Sequence, residues 1–245
     1  MKKRKLTRRG SALRWLAALL VVSVFVCVTD IYCITQKQAI NKMAQRYDLG
    51  ELQLLETVKE DTLPYGADRA YILQNQDLTG FSCGARSWRS GWGCTRPQVM
   101  EHGSQPTIPV DFVYFRGEEE AFVEYGKGNF RAKPYVFAII LDPNVETVEI
   151  SLGRNVESNK TLVWEERDRI RLARADWSSG PYCDYIFCSF DPCKLGFWPE
   201  IRALDKDGKP ITWTDVDGNQ VEWYGSGWSD EYYDDYINHL NGQRH

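Results

Sequence analysis

The residues of this 245-residue chain that could do chemistry are seven cysteines, three histidines and thirty-four carboxylates. Five cysteines fall in two groups. Cys83 and Cys94 flank a stretch that reads as two short strands around a Ser90-Gly91 turn. Strands paired across such a turn hold their Cβ atoms within bridging range. A disulfide there would contribute about 2–3 kcal/mol by restricting the unfolded chain. The second group is Cys183, Cys188 and Cys193. Residues five apart on a strand face opposite sides, which disfavours a 183–188 bridge. Asp191-Pro192 supplies a turn between Cys188 and Cys193, so the expected bridge joins those two. A zinc reading lacks close Cys-x-x-Cys spacing and a nearby His.

The remaining chemistry is thin. Two Asp-x-Asp-Gly runs, 205–208 and 215–218, invite a calcium reading. Counted from Asp205, the fifth and twelfth loop positions are Lys209 and Val216. Counted from Asp215 they are Asn219 and Ser226, and neither run ends in the bidentate Glu an EF-hand needs. Both are expected to be Asp-Gly turns. Glu118–Glu120, Glu165-Glu166, Asp230-Glu231 and Asp234-Asp235 are adjacent acids on polar stretches, not two carboxyls across a cleft. Gly225-Ser226-Gly227 lacks nucleophile-elbow spacing, and no Ser or Cys has an evident partner among His102, His239 and His245. The phosphate-cradling glycine motifs do not occur. No catalytic residue, metal or cofactor is expected. Aromatic residues are the surplus, with nine Trp in the chain. Trp88 and Trp92 beside the glycine turn, and Trp223, Tyr224 and Trp228 near the C-terminus, are the expected surface-binding residues.

The elements that would position these residues begin at a sharp charge asymmetry. Lys2, Lys3, Arg4, Lys5, Arg8, Arg9 and Arg14 precede the first acid, Asp30. The rest of the chain carries about ten more acids than bases. A basic tip on an acidic body points to a membrane boundary and away from nucleic acid. Trp15–Thr29 is fifteen residues without a charge. With its flanks it reaches about twenty positions, enough for a ~30 Å bilayer core. A cleaved signal would need small residues before the cut, and Val26-Cys27-Val28 fits poorly. Val26 before Cys27 and Tyr32 before Cys33 argue against lipidation. Gly10-Ser11-Ala12 after Arg8-Arg9 departs from a twin-arginine signal. The expectation is an uncleaved single-pass anchor with the basic side in the cytoplasm.

Beyond the anchor, Ala39, Ile40, Met43 and Tyr47 recur at helical spacing, predicting a helical stalk whose apolar face packs on the β domain. From residue 70 short β segments alternate with turns, including 70–74, 81–88, 92–95, 112–115, 121–125, 135–141, 145–152, 162–165, 170–174, 182–189, 198–204, 210–213 and 220–224. The stretch 96–109 reads as a linker or long loop. Segments 112–115 and 121–125 read as a pair around Gly117–Glu120. No long helical pattern interrupts them, so parallel α/β folds are disfavoured and an antiparallel sandwich or barrel is expected.

The segment 134–150, with its Asp142-Pro143-Asn144 turn, and the segment 200–211, with its Asp207-Gly208 pair, resemble the sandwich of extracytoplasmic immunoglobulin-like-domain proteins of mostly Gram-positive bacteria, held by one N-terminal anchor. The resemblance implies a fold and a location and brings no activity with it. The cysteine-rich insertion lies outside its pattern.

Together these readings give a mainly β chain with an N-terminal transmembrane helix, a helical stalk and an antiparallel immunoglobulin-like β-sandwich. The divisions are a basic cytoplasmic tip over 1–14, an anchor over 15–35, a stalk and small β-meander over 36–107, the sandwich over 108–226 and an acidic aromatic tail over 227–245. The expected function is non-enzymatic: a membrane-anchored extracytoplasmic interaction protein whose partner is an envelope or membrane protein. The alternative is an envelope-glycan-binding module or a glycan hydrolase using surface Trp and paired carboxylates.

Overall fold

A computed structural model of the chain describes residues 8–28, 32–102, 108–117, 120–124, 127–158, 161–194, 196–214 and 220–225. Lys2–Lys5 of the basic tip, the 215–218 turn, Trp228 and the tail lie outside the described residues. The protein is mainly β, with antiparallel sheets, and divides into two compact units.

The first unit comprises Met1–Asn75 and Gly80–Gln98. Helix α1 spans Arg8–Val28. Its large apolar side chains from Leu13 to Val24 are 52–72% exposed. Side chains are described over 11–24 of it, a stretch of about 21 Å. Among the described residues no helix is long and apolar enough to cross a membrane.

Helix α2 spans Gln36–Arg46. Its start is fixed by a capping box: the Gln38 N–H donates to Thr35 Oγ1 at 3.2 Å and the Thr35 N–H donates to Gln38 Oε1 at 3.1 Å. Ala39, Ile40, Met43 and Ala44 form its buried face. The strands are β1 (Gln53–Lys59), β2 (Arg69–Gln74), β3 (Leu78–Ser87, whose first two residues count with the second unit) and β4 (Gly91–Cys94), paired in that order. The β3–β4 hairpin turns at Trp88–Ser90, as the Ser90-Gly91 pair predicts. Gly91 has φ +71°, and a Cβ there would strike the Cys33 carbonyl oxygen, so only glycine fits. Cys33 lines this turn, its N–H donating to Ser90 O at 3.2 Å and its carbonyl accepting from the Trp92 N–H at 2.8 Å.

The second unit comprises Gln76–Thr79 and Val99–His245. In chain order its strands are β5 (Gln98–Glu101), β6 (Val110–Arg116), β7 (Glu120–Glu124), β8 (Lys127–Ala132), β9 (Pro134–Ile140), β10 (Thr147–Ser158), β11 (Thr161–Ala173), β12 (Ser178–Ser179), β13 (Asp184–Ser189), β14 (Cys193–Lys194), β15 (Trp198–Leu204), β16 (Trp213–Thr214), β17 (Gln220–Val221) and β18 (Tyr224–Gly225). One four-stranded sheet runs β12-β13-β9-β6 and another runs β11-β10-β15-β18. Val110, Phe112, Val136, Ala138 and Ile186 of the first sheet join Val148, Ile150, Leu152, Ile201 and Ala203 of the second in one buried cluster. β9 is buried along its whole length. Its second face packs rings: Phe115 stacks on Tyr135 at 5.0 Å between centroids, and Phe137 meets Tyr185 at 6.0 Å.

Three local expectations change. Segment 112–115 pairs with β9, not with 121–125, because Val110 and Phe112 share the core of Val136 and Ala138. Residues 121–124 pair instead with β8, and residue 125 lies outside the described residues. The segments 162–165 and 170–174 are one strand, β11, continuous through the charged run Glu165–Arg169 with a bulge opposite Leu152-Gly153. The stretch 96–109 holds β5.

Candidate functional site

The expected disulfides are absent: Cys83, Cys94, Cys188 and Cys193 are all thiols. The pleat explains the first pair. Cys94 stands opposite Gly84, while Cys83 stands opposite Thr95, whose N–H donates to Cys83 O at 2.8 Å. Neighbouring register positions point to opposite faces, so the two sulfurs leave the hairpin on opposite sides. Cys188 pairs with Val136 on β9, and Cys193 pairs with Ala132 on β8, in different sheets. Both pack with the apolar core. Burial pushes the Cys83 and Cys188 thiols up to about 12, with the nearby Cys94 adding to the effect at Cys83. Burial likewise raises Cys94 to about 11. These are inert, hydrophobe-like cysteines.

The predicted aromatic residues separate into exposed and committed ones. Trp88 stands at the hairpin tip, 81% exposed, with the Arg89 guanidinium 4.8 Å from its ring centroid. Trp92, four residues on, is half-buried, with Arg69 at 4.5 Å and Arg86 at 6.0 Å from its ring. Trp223 is likewise held, by Arg202 at 4.6 Å and Arg169 at 5.3 Å. Tyr224 opens β18 opposite Ile201. Tyr65, which the sequence does not single out, is 85% exposed on the first unit.

A constellation that sequence reasoning misses lies within the second unit. The Ser179-Gly180-Pro181 turn between β12 and β13 is closed by the Gly180 N–H donating to Cys183 O at 3.2 Å. This presents the Cys183 side chain beside His102, which follows β5. His102 Nδ1 lies 2.9 Å from the Gln76 carbonyl, which can only accept, so Nδ1 carries the proton. In the neutral ring Nε2 is then an acceptor. Thr79 Oγ1, fully buried, lies 2.6 Å from Nε2 and 3.2 Å from Cys183 Sγ. Sγ itself is 3.5 Å from Nε2. The thiol, hydroxyl, imidazole and carbonyl form one continuous chain of hydrogen bonds. It opens on a pocket of about 470 Å³ with Ile140, Pro143, Pro181, Tyr182 and Asp184 among its lining residues. His102 is the only histidine of the described residues.

A scan against protein-family models and searches of curated proteins and of solved structures find no match to this chain.

Proposed function

We propose that this chain is a membrane-anchored, extracytoplasmic interaction protein. The observation that carries the reading is α1. Leu13, Trp15, Leu16, Leu19, Leu20, Val21, Val22 and Val24 cover every side of the helix, and each is more than half exposed. A helix apolar all round is stable only inside a core or a bilayer, and the other described residues leave this one uncovered. The sequence continues the apolar run to Thr29, giving about the length a bilayer needs. The basic residues ahead of it favour that end staying in the cytoplasm, with both β units outside.

The second unit supports an immunoglobulin-like reading. In chain order β6, β9 and β13 act as first, second and fifth strands of one sheet. β10, β11, β15 and β18 act as third, fourth, sixth and seventh in the other. Immunoglobulin-related sandwiches distribute their strands in this way. On the first unit Trp88 with Arg89 offers a flat ring and a cation at an exposed tip, the composition of a recognition anchor. The partner is an envelope or membrane protein. The exposed ring also favours a second reading, stacking on an envelope glycan.

Two experiments test this. Alkaline extraction of membranes should leave the chain in the pellet, and protease added to intact cells should degrade the β units. Recovery in the alkaline supernatant would end the anchor reading. The full-length chain in detergent is then offered purified cell-wall glycan and, separately, solubilised envelope proteins. Saturable glycan retention lost in Trp88→Ala selects the glycan. Retention of an envelope protein lost in the same variant, without glycan binding, selects the protein partner. Retention unaffected by Trp88→Ala removes the hairpin tip from the binding surface.

A further inference from the structure

We propose that Cys183 is an acyl-accepting nucleophile, with His102 as its base and Thr79 as the bridge between them, taking esters of small acyl groups into the adjoining pocket. This goes beyond the interaction reading and holds whether or not α1 crosses a bilayer. Three features of the second unit support it. First, the imidazole is oriented: Gln76 O accepts from Nδ1–H, which leaves Nε2 as the acceptor facing the thiol. An oriented base beside a sulfur is the arrangement that activates a cysteine nucleophile. Second, Thr79 Oγ1 sits between the two, at 3.2 Å from Sγ and 2.6 Å from Nε2. Its hydroxyl hands its proton to Nε2 as it takes the thiol proton. Third, the thiol opens on a pocket whose walls mix Ile140, Pro143 and Pro181 with Asp142, Arg174 and Asp184, and the exposed Tyr182 ring lies 6.3 Å from His102. A space of about 470 Å³ with such walls has room for a small acyl group.

The chemistry balances without a cofactor. The S–H proton passes through Thr79 to His102, and the thiolate attacks the acyl carbonyl carbon. A C–S bond forms, the C–O bond to the leaving group breaks, and the departing alkoxide takes the proton from the imidazolium. A base able to return a proton is needed for a poor leaving group such as an alkoxide. It is not needed to expel a thiolate from a disulfide, which is why acyl transfer is favoured here over thiol–disulfide exchange.

The test uses the full-length chain in detergent with p-nitrophenyl butyrate as the probe. The expected result is a burst of about one equivalent of nitrophenolate per chain, with the butyryl group mapped by peptide mass to Cys183. Cys183→Ser should abolish that adduct. His102→Gln should slow acylation about 100-fold. Thr79→Val should slow it about tenfold, and Thr79→Ser should restore it. Peptide mapping on the unaltered chain does not depend on any variant folding. No adduct at Cys183, an adduct spread equally over the other cysteines, or an unchanged rate in His102→Gln would each overturn the proposal.

Discussion

Glu149 on β10 and Arg202 on β15 stand directly opposite each other across the ladder, with Glu149 Oε2 2.5 Å from Arg202 Nη2 and 3.1 Å from Nε. The carboxylate is only 5% exposed. Arg171 and Arg169 approach it at 3.6 and 3.9 Å. A buried carboxylate is tolerable because three guanidiniums replace its water.

Removing that carboxylate takes away the closest counter-charge of Arg202, leaving it Glu222 at 3.9 Å, while Arg169 keeps Glu166 at 2.6 Å. The cost falls on Arg202, the least exposed of the three, which loses a two-pronged charged hydrogen bond; Arg169 and Arg171 reach water. Glu149→Ala should therefore destabilise the protein by about 1.5–3 kcal/mol, the range for a hydrogen bond to a charged group. The check is the denaturant midpoint, which should fall at an unchanged slope. A midpoint within error of the parent would mean that water already screens the arginines.

The same strand marks how far the sequence could be read. Val148, Ile150 and Leu152 alternate with Glu149 and Ser151, and the alternation correctly places the core side of β10. Alternation of this kind predicts a wet opposite face, yet Glu149 and Ser151 are buried too, under side chains from β11 and β15. Period-2 patterning reports which face is apolar, not what covers the polar one. Glu165–Arg169 reads as a break between strands for the same reason: its charges serve the ladder. The Ser90-Gly91 turn is legible because glycine's left-handed backbone is a local demand. The Cys183–His102 contact is not, since its members are 81 residues apart and only the tertiary fold brings them together.

Trp88 and Trp223 should respond oppositely to truncation. Trp88 is 81% exposed, so Trp88→Ala should change stability by less than about 0.5 kcal/mol while removing partner or glycan retention. Trp223 is gripped by Arg169 and Arg202. Trp223→Ala should lower stability by about 1–2 kcal/mol and leave retention intact. Thermal melts and retention assays on both variants decide it; loss of retention in the Trp223 variant alone would move the binding surface to the second unit.

Gly153 is required by Trp164. A Cβ at residue 153 would sit 2.5 Å from Trp164 Cε2, and 2.7 Å from the Glu165 carbonyl oxygen. The ring cannot easily retreat, since its Nε1–H donates to Ser151 Oγ at 3.3 Å. Gly153→Ala should cost about 1–3 kcal/mol, the range for forced overpacking. Adding Trp164→Ala should recover part of that loss in a double-mutant cycle. Strict additivity of the two substitutions would show that the strain lies in the backbone bulge and not in the ring contact.

Glu200 on β15 gives the acid side of the stability profile. Burial raises its carboxyl above the ordinary value. A raised folded-state pKa means the ionised form is disfavoured by folding, so at neutral pH Glu200 subtracts from stability. The penalty fades as pH falls through the raised value and is gone below the ordinary carboxylate range. Glu166 runs the other way: its hydrogen bonds from Arg169, foremost, and from Ser151 lower its pKa. Its contribution is present above the ordinary range and is lost as pH falls through the lowered value. Glu200→Gln should accordingly be more stable than the parent at pH 7, and the advantage should vanish on acidification. Glu166→Gln should be less stable at pH 7, with its deficit closing at lower pH. Paired chemical-denaturation curves across that interval separate the two, and a Glu200→Gln variant no more stable than the parent at neutral pH would show that water reaches the carboxylate.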